Sequence, residues 1–460
     1  MPFVIAVALL ASGWPQFRGP NGSGVSDARG LPVKFGPKQN VAWKTSVPPG
    51  SSSPILAGDN LFLTAHEGKE RLVLCLDKRS GKIRWRRSIV APREEGRHPE
   101  NDAASPTPVT DGESVYAFFP DFGLISYDAA GKERWRAPLG PFDSVHGISA
   151  SPVYAEGKIF LHIDQWLKNS YVAAFRARDG SLAWKTERAG LQVGGQATPG
   201  FYSPASRPLE LVILASREMA GYSAETGEKL WWLGGLGSQP LSPASIRGDV
   251  VYANVLGSGD VKAEDFMTTL DANKDGKLVF GEVPKEMGAR GFAIADANGD
   301  GAVTADEFER VAKVMRGAES ALVAVRLGGR GELAPASVAW RLTKSLPTIP
   351  APLLYQDVLY LVRDGGIATA LDPKTGEVRK QGRLTGAVGT YYSSPVAGDG
   401  KVYAAELSGK VAVLKAGAKW EILAVNDLGE DTRATPALDE GRIFVRTRTA
   451  LYAFSGAGGR

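Results

Sequence analysis

The chain has 460 residues, a net charge of +4 and one cysteine, with 55 glycines and 10 tryptophans. A single cysteine excludes an intrachain disulfide framework, and lysines and arginines spread along the chain, gathered only at Arg84, Arg86 and Arg87, speak against a nucleic-acid surface. So much glycine without low complexity calls for many tight turns, and therefore for short strands over long helices.

At the N-terminus, Met1-Pro-Phe-Val-Ile-Ala-Val-Ala-Leu-Leu-Ala-Ser-Gly13 reads as the apolar core of a secretory signal ending in small residues, without the usual preceding Lys or Arg. It is too short to span a bilayer, and no later stretch approaches that length. Residues 1–13 are therefore expected to be a partial signal peptide, which makes the protein extracytoplasmic, periplasmic or secreted.

From Pro54 onward the chain repeats. A small residue precedes each of Pro54, Pro108, Pro152, Pro199, Pro243, Pro352, Pro395 and Pro436, and an apolar residue sits seven positions after every one of these prolines except Pro199, whose turn is longer. Adjacent anchors lie 41 to 54 residues apart, with one gap of 109 between Pro243 and Pro352. Each unit holds four short strand candidates. In the first they are the segment around Pro54, Leu61-Phe-Leu-Thr, Arg71-Leu-Val-Leu-Cys-Leu and Ile83-Arg-Trp85, with Cys75 as a buried apolar residue of the third. The turn before the fourth strand recurs as Asp77-Lys-Arg-Ser-Gly-Lys, Asp128-Ala-Ala-Gly, Glu225-Thr-Gly-Glu and Asp372-Pro-Lys-Thr-Gly-Glu, where Asp and Gly suit the positive-φ positions of tight hairpins. Four antiparallel strands per unit, repeated eight times, predict an all-β, eight-bladed β-propeller.

Trp85, Trp135, Trp184, Trp231, Trp340 and Trp420 fall in fourth strands and are expected to pack blade on blade. The last unit ends after Leu451-Tyr-Ala-Phe without a fourth strand, whereas Asn40-Val-Ala-Trp43-Lys is a fourth-strand segment with no unit before it. The expectation is that this N-terminal strand completes the last blade and closes the ring, leaving no open sheet edge between ends.

The long gap carries an acidic insert. Residues 260–310 hold a net charge of −6, leaving +10 on the rest of the chain. Within it, Asp271-Ala-Asn273-Lys-Asp275-Gly276-Lys277-Leu278-Val-Phe-Gly-Glu282 and Asp296-Ala-Asn298-Gly-Asp300-Gly301-Ala302-Val303-Thr304-Ala-Asp-Glu307 both match the twelve-residue EF-hand loop. Side-chain oxygens come from Asp271, Asn273 and Asp275, and from Asp296, Asn298 and Asp300. Lys277 and Ala302 would give backbone carbonyls, and Glu282 and Glu307 the closing carboxylates. Two calcium ions are the expected cofactors. Lys274 and Lys277 dilute the charge of the first loop, so the second is predicted to bind more tightly. The domain plan is thus a propeller over 14–259 and 318–460, with a helical EF-hand pair over 260–317 inserted between strands two and three of blade five.

The turn-plus-Trp repeat, as in Thr226-Gly-Glu-Lys-Leu-Trp231, resembles the repeats of pyrroloquinoline-quinone-type propellers, which include quinoprotein alcohol dehydrogenases and the non-catalytic propeller of the outer-membrane protein assembly machinery. Trp14-Pro-Gln-Phe-Arg-Gly-Pro-Asn-Gly-Ser-Gly24 looks like the mature start of secreted bacterial quinone-binding-like propeller repeat proteins. The resemblance covers the chain apart from the insert. It implies fold more than chemistry. The quinoprotein enzymes commonly carry an adjacent cysteine pair, further loops over the active site and, in some, a Cys-x-x-Cys-His haem attachment. One cysteine cannot supply these, so the quinone is the disfavoured cofactor.

One face of such a ring collects the loops between strands two and three and the connections between blades. His66, His98, His146, His162, Asp102, Asp164, Gln165, Gln196, Tyr391 and Arg433 map to it, without a recognisable nucleophile–base pair. The favoured reading is a non-catalytic binding or scaffold propeller that takes a protein, polysaccharide or small molecule on this face. The alternatives are a quinone-dependent oxidoreductase working in the central funnel and a hydrolase using the histidines.

Overall fold

The proline repeat folds into an eight-bladed β-propeller of antiparallel sheets. The computed structural model describes residues 13–144, 146–166, 169–188, 195–260, 262–284, 288–316 and 318–456. The expected signal segment, up to residue 12, lies outside them.

Blade one shows the plan, with strands Ile55–Ala57, Asn60–Glu67, Glu70–Asp77 and Ile83–Val90 in spatial order. Its two middle strands are continuously buried from Leu61 to Ala65 and from Leu72 to Leu76, because blades stack face to face and cover both sides. Only the fourth strand alternates, since its outer edge meets solvent. The turn before it is held by Asp77, whose Oδ1 accepts from the Ser80 N–H at 2.8 Å. Burial raises the Cys75 thiol pKa to about 12, so it stays a neutral core group.

The tryptophans explain why that turn recurs. Trp43, Trp85, Trp135, Trp184 and Trp340 each donate the indole N–H to a carbonyl in or beside the last turn of the next blade: Lys78, Ala129, Ala177, Ala224 and Pro373, at 2.8–3.2 Å. The turn glycine lies flat under the ring. At Gly81, with φ +72°, an added Cβ would stand 2.5 Å from the Trp43 ring. Glycine is therefore required twice over, by conformation and by contact.

Two tryptophans depart from this pattern. Trp231 turns into its own blade, donating to buried Glu210 at 2.6 Å, and its ring occupies the space a Cβ on Gly221 would need. Here the short strand Gly331–Glu332 pairs parallel with Lys229–Leu233, so blade four has five strands. Trp420 precedes the strand Glu421–Asp427, and Lys380 lies 4.4 Å from its ring centre.

Blade eight consists of Ala437–Asp439, Arg442–Arg446, Ala450–Ser455 and, as its outer strand, Val41–Ser46, with Trp43 opposite Ala453. Buried Arg446 ties it to blade one, donating to the Ser52 and Thr64 carbonyls at 2.9 and 2.8 Å. Lys78 of blade one reaches back to Asp439 at 2.7 Å.

Between Val250–Ser258 and Glu319–Arg326, the second and third strands of blade five, lie the helices α1 (Ala263–Leu270), α2 (Gly288–Ala295) and α3 (Ala305–Met315). Two short strands, Lys277–Val279 and Ala302–Thr304, pair with Leu278 opposite Val303. The helices bury Met267, Phe292, Phe308 and Val311, and the same cluster takes in Trp166 from the loop between strands two and three of blade three. The insert thus docks across the ring as well as being tethered to blade five.

Candidate functional site

The innermost strands run down the ring axis, and the residues before six of the eight anchor prolines line the channel. A chain of hydrogen bonds links these residues from blade to blade. Ser53 N–H donates to Thr107 Oγ1, Thr107 N–H to Ser151 Oγ, and Ser151 N–H to Thr198 Oγ1, at 2.9–3.0 Å. On the other side Ala351 N–H donates to Ser394 Oγ, Ser394 N–H to Thr435 Oγ1, and Thr435 N–H to Ser53 Oγ, at 2.9–3.1 Å. Six of these hydroxyl residues form the wall and floor of an axial cavity of about 380 Å³.

The N-terminal segment closes the far end of the channel. Trp14 exchanges two backbone bonds with Leu56, the Asn21 side-chain amide donates to Phe201 O and accepts from Phe201 N–H, and Gly24 O accepts from Ala397 N–H at 2.7 Å. This stretch therefore crosses beneath blades one, four and seven and raises Phe17 into the cavity floor. The sequence motif around Trp14 is a plug.

At the open mouth stand His98 and His146, with ring centres 5.7 Å apart, and Tyr392 under the Arg433 guanidinium at 5.3 Å. Arg433 is also paired with Glu100 at 2.7 Å. A second hollow of about 350 Å³ adjoins this mouth over blades eight and one, lined by His66, Asp102, Asp431 and Arg448. Ser51, Glu100, Asn101 and Arg433 line both, so the two form one continuous groove. Burial lowers the pKa of His66, and burial together with His98 lowers that of His146, which favours neutral rings at both places.

Several residues mapped to this face are not on its surface. His162, Asp164 and Arg188 form a buried cluster. Arg188 donates to His162 Nε2 at 2.9 Å and to Asp164, and Asp164 Oδ2 accepts from Gly195 N–H at 3.1 Å. Burial pushes the Asp164 carboxyl up, but Arg188 and His162 outweigh it and hold it at about 2. Gln165 is buried, with Oε1 accepting from Asp143 N–H. Tyr391 is likewise internal, donating to the Ala387 carbonyl at 2.6 Å. Its neighbour Tyr392 is the residue at the cavity, a difference of one position that a connecting loop of irregular backbone hides from sequence patterning. Gln196 does line the cavity, where its Oε1 accepts from the Ser149 N–H and hydroxyl. His66, His98, His146, Asp102 and Arg433 come together as the groove.

In the insert, each loop folds around its first carboxylate. Asp271 Oδ2 accepts from Gly276 N–H and Asp296 Oδ2 from Gly301 N–H, both at 2.9 Å. Asn273 and Asn298 each accept from the N–H two residues on, at 2.8 Å, and Asp275 and Asp300 accept from Lys277 and Ala302 N–H. Gly276 and Gly301 have φ of +79° and +86° at the sharp turn. The closing carboxylates differ. Glu307 sits in a capping box with Thr304 at the start of α3, and its Oε1 accepts from Ala297 N–H at 3.1 Å across the loop. Glu282 Oε2 accepts from Val279 N–H. Among the described residues no three Asp, Glu, His or Cys side chains converge closely enough to hold an ion.

Sequence comparison matches residues 40–165, 69–277 and 168–460 to the family described as outer membrane protein assembly factor BamB. The outer membrane protein assembly factor BamB of Bordetella pertussis (strain Tohama I) is 26% identical over 163 residues, 34% of this chain and 36% of that protein. The match thus spans about a third of that relative's length. BamB from Moraxella catarrhalis has the same fold, with a TM-score of 0.57 at 11% identity, covering 90% of this chain and 99% of the other. A europium-containing methanol dehydrogenase gives 0.61 at 10% identity over 96% and 98%. The quinohemoprotein alcohol dehydrogenase ADHIIG of Pseudomonas putida HK5 gives 0.60 at 11% over 98% and 81%. At such identities the likeness to these structures is one of fold. No helix among the described residues is long and apolar enough to cross a membrane.

Proposed function

This chain belongs to the family of the outer membrane protein assembly factor BamB, and from that premise we propose that it is an extracytoplasmic, non-catalytic binding propeller whose loop-face groove receives a protein partner and whose insert binds two calcium ions. One observation carries the choice of binding over catalysis: the groups on this face that could react are engaged with one another. Ser51 donates to Asp102, Ser149 to Gln196, and Arg433 is held by Glu100. His98 and His146 face each other and no hydroxyl is paired with either, so there is no base–nucleophile unit among the described residues. What the face offers is a groove lined by Tyr392 and Arg433, two of the three residue types most enriched among interface anchors.

A quinone fits this lining poorly. Pyrroloquinoline quinone is a planar tricarboxylate, and it needs several cations and a flat aromatic surface. Arg433 is the single Arg or Lys among the described residues of the axial cavity, and Glu100 already neutralises it. No tryptophan lines the cavity and Cys75 is buried in blade one.

Calcium fits the insert by donor chemistry. Asp271, Asn273, Asp275, the Lys277 carbonyl and Glu282 would form one all-oxygen set, and Asp296, Asn298, Asp300, the Ala302 carbonyl and Glu307 the other. The ion would stiffen an insert that already shares its core with Trp166.

A photo-crosslinking residue at Tyr392, with Glu156 in a turn on the opposite face as control, tests the reading in envelope fractions. One discrete adduct from position 392 and none from 156 is expected. Equal labelling from both faces would remove the case for the groove, and dye-linked alcohol oxidation after loading with quinone and calcium would replace binding by catalysis.

A further inference from the structure

The fully buried arginines of this ring differ in what they face. Arg71 has Asp121 at 2.7 Å, and Arg188 has Asp164. Arg446 gives four bonds to oxygens of Pro48, Ser52 and Thr64. Arg18, in the plug, is 0% exposed and makes one bond, from Nη2 to the Pro352 carbonyl at 2.9 Å. Its Nε and Nη1 have no hydrogen-bond partner among the described residues. Burial alone pulls its pKa down, to about 9, which still leaves it protonated at neutral pH. A guanidinium held in the channel without an opposing charge carries a large desolvation penalty.

A second observation lies in the same sector. The ring of pre-proline hydroxyls breaks between blades four and six, where Ala351 has no hydroxyl to continue it, and there the buried Ser242 Oγ has no partner among the described residues. Pro352 O, the acceptor of Arg18, also takes the Ser245 hydroxyl of blade five at 2.5 Å. The unpartnered groups named on this side of the channel, the Nε–H and the two Nη1 N–H of Arg18 and the Ser242 hydroxyl, are all able to donate. An anion accepts from all of them and supplies the opposing charge that Arg18 lacks, whereas water accepts without supplying charge. Space limits it further. Phe17 lines the axial cavity and Arg18 does not, and Gly24 is so close that a Cβ on it would be 2.9 Å from Arg18 Nη2.

We propose that the plugged end of the channel is a binding site for a small inorganic anion of the halide class, held against Arg18 beside blades five and six. The ion supplies the charge that the surrounding side chains do not, and it joins the N-terminal plug to the ring. This site is independent of whatever occupies the loop-face groove.

The test uses the full chain, titrated with sodium chloride against sodium gluconate at constant ionic strength. A saturable rise in Tm of about 2 °C or more is expected, with bromide acting likewise. Arg18→Met should abolish the rise. Crystals grown in bromide should show an anomalous peak within hydrogen-bond distance of Arg18 Nε or Nη1, which decides the matter even if the variant does not fold. A Tm indifferent to the anion, a rise that persists in Arg18→Met, or bromide absent from Arg18 would each overturn the proposal, the first being the result if water alone fills the site.

Discussion

The backbone N–H of Thr435, in the last blade, donates to Ser53 Oγ, in the first, at 2.9 Å. These residues stand 382 positions apart, yet the bond repeats the link that Ser53 N–H makes to Thr107 one blade onward. The inner rim of the propeller is therefore joined by the same chemistry at the chain's junction as elsewhere, in addition to the strand Val41–Ser46 on the outer rim.

Ser53→Ala would leave the buried Thr435 N–H without its acceptor, so it should cost about 1–3 kcal/mol of stability. Ser126→Ala, in blade two, removes a buried hydroxyl with no partner among the described residues and should stay within about 0.5 kcal/mol of wild type. Urea midpoints of the two variants check this, and equal values would mean that the ring bond contributes nothing.

Two turn glycines can be compared, Gly81 before the fourth strand of blade one and Gly112 between the first two strands of blade two. Gly81 and Gly112 both have positive φ, +72° and +98°, but an added Cβ meets the Trp43 ring at 2.5 Å in the first and nothing within 4 Å in the second. Gly112→Ala should cost about 1 kcal/mol from conformation alone. Gly81→Ala should cost distinctly more, because Trp43 must leave its turn and its bond to Lys78 O. Thermal unfolding of the two variants measures the difference.

Much of this was legible in the sequence because a propeller writes its period in residues with few substitutes. Proline after a small residue marks each blade, a turn glycine and a tryptophan mark most of them, and together they give the blade number and the four-strand plan. The pattern failed where a residue changed partners without changing type. Trp231 has the same spacing as the other fourth-strand tryptophans, yet turns inward to Glu210. His162 and Asp164 read as rim residues because polar side chains at a strand end usually meet solvent, but Arg188 pairs with them from the fourth strand of the blade, across the third, and lets them be buried. Such pairing spans 24 to 26 positions and leaves no local signature. Tyr392 and the plug were missed for a related reason: neither lies in a periodic element.

In the insert, the second loop should bind calcium more tightly than the first. Glu307 is positioned by its capping box with Thr304 and already reaches across the loop to Ala297 N–H. Glu282 Oε2 takes a bond from Val279 N–H, within its own end of the loop. Lys274 and Lys277 further weaken the first loop electrostatically. In calorimetric titrations Asp296→Ala should therefore abolish the tighter phase and Asp271→Ala the weaker one. Loss of the tighter phase in Asp271→Ala would reverse the order.

Because Trp166 of blade three lies in the core of the insert, calcium should be visible from the propeller. Removing the ion with a chelator should expose the indole and shift its emission to longer wavelength, a change absent from Trp166→Phe. That substitution removes surface from the shared core without a charge change and should weaken calcium binding by about tenfold or less. An emission change unaffected by Trp166→Phe would mean that the insert folds without reference to blade three.

Acid should destabilise the protein in two stages. His66 and His146 have folded pKa values below the usual 6.5, so the unfolded chain takes up protons first as the pH falls. Stability therefore declines below about pH 6.5 and goes on declining until the folded rings are protonated. Asp164 acts later. Its folded carboxyl is depressed to about 2, so its contribution is complete above the unfolded value near 4 and is lost as the pH falls from there towards 2. His146→Gln should flatten the first decline and leave the second in place, whereas Asp164→Asn should lower stability at neutral pH and shrink the second, to which Asp77, Asp372 and Asp399 also contribute. Urea midpoints between pH 8 and 3 separate the two, and a single decline centred near pH 4 would show that the groove histidines carry no such penalty.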